Sequence, residues 1–320
     1  SVAISKNRKI LSNVTISQVI HSDYGGVVPE IASREHLFLI DKVTQKAFKD
    51  AKLSISDIDS IAVTKGPGLK GALMVGVNFA KGLSISNNIP IVGVNHMEGH
   101  LFSNFIDAES IKYPFLCMLV SGGHTQIWLV ESYQNYKLFS NTVDDAAGEA
   151  FDKGARMLGL GYPGGPEIEK VSNGGLIGKF NFPIARVKKS KYNFSFSGLK
   201  TSLYYLLKKQ PDITKKDVKD ISANYQEAIL EALIQKLIFI ANETNIYDIV
   251  ISGGVTANKR FRHKLELLNE ENLYKIHYPP IKYCTDNAAM ICIAGYEKVI
   301  NKQFSDITLN IFPNLLMDQK

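Results

Sequence analysis

Twice in this chain an apolar run ends in a glycine-rich turn that leads straight into an amphipathic stretch. DSIAVTKGPG (residues 59–68) precedes ALMVGVNFAKGLSISNN (72–88), and DIVISGGVTAN (248–258) precedes FRHKLELLNE (261–270). A strand that turns at glycine into a helix needs a sheet for that helix to cover, which confines the chain to the α/β class. The rest of the sequence agrees. KILSNVTIS (9–17) and IPIVGVNH (89–96) read as strands, and HLFLIDKVTQKAFKDAKL (36–53) carries apolar residues at helical spacing. FLCMLVSGGHTQIWLVE (115–131) reads as two strands joined by a Ser-Gly-Gly turn, with YKLFSNTVDD (136–145) as a third.

The pattern restarts near residue 114, and KILSNVTIS resembles KLFSNTVDD. A duplicated half with a cleft between copies follows, in lobes spanning 1–113 and 114–320, the second with a helical, basic insertion around 155–210. In that register SVAIS (1–5) matches TQIWLV, a second strand, so a first strand and its turn are expected ahead of Ser1 and missing here. At 320 residues the chain can bury two cores. Its 45% hydrophobic and 21% charged residues exclude a disordered protein. No apolar run approaches the roughly 20 residues of a membrane span, and no export signal is visible. Three cysteines without CxxC spacing fit a reduced, intracellular protein, and with no transit segment visible a bacterial cytoplasm is expected. The net charge of +6 suits a polyanionic partner such as RNA.

GPGLKG (66–71) meets the G-x-G-x-x-G pattern, but no acid occurs between Gly71 and Met97 to hold a ribose, and Ala72 stands where a Walker lysine would. A tight turn is expected instead of a dinucleotide site. SGGHTQ (121–126), SGGVTAN (252–258) and YPGGP (162–166) are turns whose backbone N–H groups can approach a phosphate, and together they point to a nucleotide cleft. Asn258 could bond a base or ribose, and Asp152 could take ribose hydroxyls or a substrate amine. VNHMEGH (94–100) places His96 and His100 about 40° apart around a helix, close enough to share one cation. Glu98 is turned about 200° from the pair, so the zinc-peptidase reading loses its base. Two hydrogen-bonded histidines at a strand end remain the alternative. Asp286, between an apolar run and a helix in YCTDNAAM (283–290), could supply the third ligand. KKSKYNFSFSGLKTSLYYLLKK (188–209) alternates lysines with aromatics, as single-stranded RNA recognition does, or forms a helix with a solvated basic face.

With GGVVPEIASREH (25–36), KGPGLKGALMVG (65–76), DDAAGEAFDK (144–153), NFSFSGLKT (193–201) and CTDNAAM (284–290) added to these motifs, the chain closely resembles the TsaD family of tRNA threonylcarbamoyl transferases over nearly its whole length. The resemblance implies an actin/hexokinase-like (ASKHA) α/β fold, with two RNase H-like lobes around a nucleotide cleft. It implies transfer of threonylcarbamoyl from threonylcarbamoyl-AMP to the exocyclic amine of the adenosine at tRNA position 37, in tRNAs reading codons that begin with adenine. It makes His96, His100 and Asp286 ligands of one Fe(2+) or Zn(2+). Leu119, Val120, Ser121, Gly122, Gly123, Asp152, Gly165 and Asn258 match the adenylate contacts, and Glu169 is a looser match. For the anticodon loop, Lys188, Lys189, Lys191, Tyr192 and Lys200 are the candidates. No general base is identified. ATP or ADP in the cleft or on a partner, a TsaB-type paralogue with a TsaE-type ATPase, or an organellar homodimer complete what the resemblance implies. In the organellar case the location is the mitochondrial matrix or a plastid; no membrane is expected. Two competing readings are a small-molecule kinase on the same fold, which leaves the histidine pair unexplained, and a non-catalytic scaffold, whose kind generally lacks that pair.

Overall fold

The computed structural model describes residues 1–18, 27–107, 111–185, 187, 190–210, 212–270 and 273–319. In chain order the elements are β1 (Val2–Lys6), β2 (Lys9–Val14), α1 (Pro29–Ala51), β3 (Ile61–Gly66), α2 (Lys70–Asn87), β4 (Ile91–Asn95) and α3 (His96–Phe102). Then follow β5 (Phe115–Val120), β6 (Thr125–Ser132), β7 (Asn135–Asn141), α4 (Ala147–Met157), α5 (Gly164–Ser172), α6 (Ser197–Lys209) and α7 (Lys215–Thr244). The chain finishes with β8 (Asp248–Ser252), α8 (Lys259–Glu270), β9 (Lys275–His277) and α9 (Ala288–Ile300). Local chemistry sets several of these limits. Pro29 starts α1, where a missing N–H costs nothing, and a Thr214–Asp217 capping box starts α7. The expected helix 36–53 recovered only the later part of α1.

Contacts divide the chain into two units, residues 1–111 with 285–320, and residues 112–284. The expected break after 113 lies two residues further on, but assigning everything beyond it to one lobe was wrong. The stretch 285–320 returns to the first unit because α9 is apolar on several sides and must be covered by more than one element. It packs on α3, β1, β3 and β4. Gly295 rests on the Cβ of Ala62 in β3 with no room for a side chain of its own.

In the first unit β1 pairs antiparallel with β2, and β3 pairs parallel with β4. In the second, one mixed sheet runs β7-β6-β5-β8-β9, antiparallel from β7 to β5 and parallel from β5 to β9. Both units therefore carry an antiparallel pair and a βαβ pair. β5 is buried throughout, as a central strand covered on both faces must be. Leu116, Met118 and Val120 of β5, Phe151 of α4 and Leu230, Leu233 and Leu237 of α7 share the second unit's core.

Candidate metal centre and nucleotide rim

β4 is buried along its full length and passes without a loop into α3. Asn95 makes that junction by accepting a bond from the Met97 N–H at 2.8 Å. His96 is therefore the first residue of α3, with His100 one turn later. Their rings meet edge to face, centroids 4.8 Å apart. Asp286 stands immediately before Asn287, which caps α9 by accepting from the Met290 N–H at 3.1 Å. Two capped helix starts thus bring three side chains together. Asp286 Oδ1 lies 3.4 Å from His96 Nε2 and 3.1 Å from His100 Nε2, and one donor atom from each residue lies within 4.8 Å of the others.

All three belong to the first unit. The expectation of a triad drawn from both lobes fails, because Asp286 returns with α9. Nor does a strand lead into Asp286: a 3-10 turn, Ile281–Tyr283, precedes it. Glu98 points elsewhere, as its spacing requires, and pairs with Lys298 of α9 at 3.1 Å.

The electrostatics favour a cation. Burial pushes the His100 imidazole below its ordinary pKa and outweighs the nearby carboxylate, so the ring stays neutral, its ligand form. Asp286 goes the other way. Desolvation works against its ionisation, but hydrogen bonds from His100 and His96 hold the carboxyl well below the usual range. With 74% of its side-chain surface exposed, that carboxylate also keeps water on one side. The buried Nδ1 of His100 has no hydrogen-bond partner among the described residues, so the ring's orientation rests on its Nε2 side. Two imidazoles and one carboxylate with an open side form a donor set that suits Fe(2+) or Zn(2+). The residues fit such an ion.

In the second unit, the residues expected to meet an adenylate gather at the carboxyl ends of β5 and β8. Leu119 and Val120 end β5 and are fully buried. Ser121 closes the turn to β6, its N–H donating to the His124 carbonyl at 2.8 Å. Gly122 and Gly123 face open space, and neither has a positive φ. No local turn demands glycine there, so their bare backbone is available to something outside the chain. Gly148, in the first turn of α4, is pressed so closely on this turn that an added Cβ would lie 2.5 Å from the Ser121 carbonyl oxygen. Gly253 has φ +94° and abuts the Val120 carbonyl, a conformation and an approach that only glycine allows.

Asp152 of α4 accepts from the Gly164 N–H at 2.7 Å, fixing the start of α5. Burial raises its pKa, only partly offset by that bond and by Arg156. Gly165 faces open space one residue on. Glu169 accepts from the Lys259 N–H of α8 at 2.8 Å. Asn258 is committed to the protein: its carbonyl caps α8 through the Phe261 N–H at 2.9 Å, and its amide donates to Gln226 at 2.7 Å. The rim thus joins two strand ends to the N-termini of α4, α5 and α8, whose helix dipoles favour an anion. GPGLKG is not part of it. There the Gly68 N–H donates to the Pro313 carbonyl at 3.1 Å, and the turn is filled by the chain itself.

The basic stretch divides. Lys188 and Lys189 lie outside the described residues. Lys191 pairs with Glu243 at 2.6 Å, and Tyr192 packs edge to face on Phe139. Both are turned to α7. Lys200 is exposed on α6. Sequence reading missed Asp144, whose carboxylate accepts from Ser195 and Ser197 hydroxyls at 2.5 and 2.8 Å and from the Phe196 N–H at 2.8 Å, capping α6. The Ser-Phe-Ser just before a helix was the available signal.

The family model described as TsaD, tRNA N6-adenosine threonylcarbamoyltransferase, matches residues 9–293. The chain belongs to the TsaD family. A tRNA N6-adenosine threonylcarbamoyltransferase of Thermosipho africanus is 50% identical over 317 residues, covering 98% of this chain and 96% of that one. A relative of the same name from Kosmotoga olearia is 50% identical, with 98% and 94% covered, and one from Clostridioides difficile 46%, with 100% and 95%. Among solved structures, full-length HypF in its phosphate- and nucleotide-bound form superposes with a TM-score of 0.60 at 13% identity. It covers 83% of this chain, which spans half of HypF. That likeness concerns the fold alone. No helix among the described residues is long and apolar enough to cross a membrane.

Proposed function

We propose that this protein transfers the threonylcarbamoyl group of threonylcarbamoyl-AMP to the exocyclic amine of adenosine 37 in tRNAs reading codons that begin with adenine. The observation that carries the reading is the convergence of His96, His100 and Asp286 on one point in a chain of this family. The amine nitrogen attacks the carbamoyl carbon, the bond from that carbon to the phosphate oxygen breaks, AMP departs and the amine proton passes to solvent. A bound Fe(2+) or Zn(2+) supplies Lewis acidity and a template for the donor.

The chain's own part is positioning. The bare Gly122–Gly123 backbone and the starts of α4 and α5 receive the adenylate phosphate, and Asp152, held by the Gly164 N–H, orients the ribose. An aromatic amine is a weak nucleophile, so holding it in attack geometry contributes much of the rate. Glu169 shares the rim through Lys259, whereas Asn258 serves it by fixing α8. No side chain is assigned as general base.

The antiparallel and βαβ pairs in each unit, with the likeness to HypF, support reading the units as the RNase H-like lobes of an actin/hexokinase-like fold. Partners follow the family: a TsaB-type paralogue with a TsaE-type ATPase that binds ATP or ADP, or a second copy of this chain. Phe38 on α1, 71% exposed, and Ile85 on α2, 69% exposed, are apolar surface for such a contact.

His96→Ala in the complete protein tests the reading. With donor and tRNA supplied, mass spectrometry of the nucleosides should show modification lost, and metal analysis should show the ion lost with it. Undiminished modification ends the metal-centred mechanism.

A further inference from the structure

The candidate RNA stretch gave up Lys191 and Tyr192 to intramolecular contacts, yet its C-terminal half did not follow them inward. α6 buries Leu199 and Leu203. Its opposite face presents Lys200, Thr201, Tyr204, Tyr205 and Lys208, positions that fall on one side of a helix. Tyr204 is 53% exposed and Tyr205 56%. Their rings lie 5.5 Å apart at 70°, so each keeps a face open. Between this face and α4 is a shallow cavity of about 450 Å³, lined by both tyrosines, Lys200, Asp145, Lys153 and Met157.

Charge identifies the occupant. Lys153 is held by Asp145 at 2.6 Å and Glu149 at 2.8 Å. Lys200, Lys208 and Lys209 have no acidic partner among the described residues. Lys153, Lys200, Lys208 and Lys209 stand against Asp144, Asp145 and Glu149, a local excess of +1, and the free lysines flank the tyrosine pair along the helix. The N-terminus of α6 offers nothing to an anion, since Asp144 already occupies it. Flat rings with unpaired cations on either side match a strand of unstacked bases and its phosphates. A protein partner would have to cover Lys200, Lys208 and Lys209 with acids of its own as well as the two tyrosines.

We infer that the outer face of α6 is a docking surface for a single-stranded segment of the RNA substrate. One or two bases stack on Tyr204 and Tyr205 in the cavity, and the flanking phosphates run along Lys200, Lys208 and Lys209. α4 gives the location its meaning. One side of this helix carries Gly148 and Asp152 at the nucleotide rim; the other carries Lys153 and Met157 in the cavity. RNA held here lies one helix diameter, about 10 Å, from the rim. The inference rests on the proposed tRNA reaction only for the identity of the RNA.

The experiment measures fluorescence anisotropy of a labelled anticodon stem-loop on the complete protein across a salt series. Tyr204→Ala/Tyr205→Ala should weaken binding at least tenfold, and Tyr204→Phe/Tyr205→Phe should restore it, because stacking and not the hydroxyl is used. Lys208→Ala/Lys209→Ala should lower the slope of log K against log salt by about one to two. Unchanged melting temperatures, expected for exposed positions, separate these effects from misfolding. In the transfer assay the tyrosine pair should raise KM for tRNA and leave kcat alone. Wild-type affinity in the alanine pair overturns the inference, as does intact RNA binding with lost capture of a purified TsaB-type paralogue. If the wild-type protein binds the stem-loop through these residues but modifies no tRNA, the proposed reaction fails and the docking surface stands.

Discussion

Glu98 sits between the two histidines in sequence and away from them in space. Its carboxylate meets the Lys298 ammonium at 3.1 Å, with side chains only 5% and 11% exposed, and so ties α3 to α9. These are the helices that start at His96 and just after Asp286. Glu98→Met conserves volume and leaves Lys298 charged and buried. Removing one partner of a buried pair costs about 3–5 kcal/mol, since the survivor keeps its desolvation penalty. Lys65 adds to this: burial lowers its pKa and Lys298 lowers it further while Glu98 raises it, so without Glu98 only the repulsion between the two ammonium groups would remain. At roughly 2–4 °C per kcal/mol for a unit of this size, the first unit should melt about 10 °C lower. Glu98→Met/Lys298→Met should recover most of that loss, because apolar replacement of a buried pair is often neutral or better. Calorimetry of the four proteins of the cycle measures the coupling, and zinc titration of each at 20 °C measures how far α3 and α9 hold the triad. A single variant that loses less than 1 kcal/mol, or a double variant no more stable than the single, would refute the reasoning.

Three further outcomes follow from the rim and its supports. Gly148→Ala places a Cβ 2.5 Å from the Ser121 carbonyl oxygen, so the turn must shift; donor affinity should fall at least tenfold by calorimetric titration while zinc binding, in the other unit, is unchanged. Asn258→Ala removes the cap of α8 and the bond to Gln226, and should cost about 1–2 kcal/mol in urea unfolding. Burial opposes ionisation of Glu227, but Arg260 and Lys264 outweigh it and hold its pKa below the unfolded value. Its stabilisation is therefore present above about pH 4.5 and is lost as pH falls through the lower folded value. Glu227→Gln should reduce stability at pH 7 and flatten the acid limb of a urea–pH series; parallel limbs would contradict this.

The sequence carried the α/β class because glycine turns and apolar periodicity are local. It also named His96, His100 and Asp286, which the fold brings together, although Asp286 is placed by a 3-10 turn and an Asn cap and not by a strand. Global features were harder to read. That α9 packs on β3 and α3 depends on contacts across some 200 positions, and only its nearly all-round apolar surface hinted at a double covering. The cap role of Asn258 was not legible, because caps and ligand contacts draw on the same residue types. Tyr192 and Tyr204 looked alike within one lysine-rich run. Which of them turned inward was decided by Phe139 and Glu243, neither of them near in sequence.

Because the second unit interrupts the first, order of synthesis and order of assembly differ. Residues 112–284 form a continuous segment that can pack while the ribosome is still at work, whereas the first unit waits for the final stretch. Asp286 leaves the exit tunnel about 190 residues after His96. A nascent chain therefore holds the two imidazoles well before the carboxylate that faces them, and the three side chains can converge only late in synthesis.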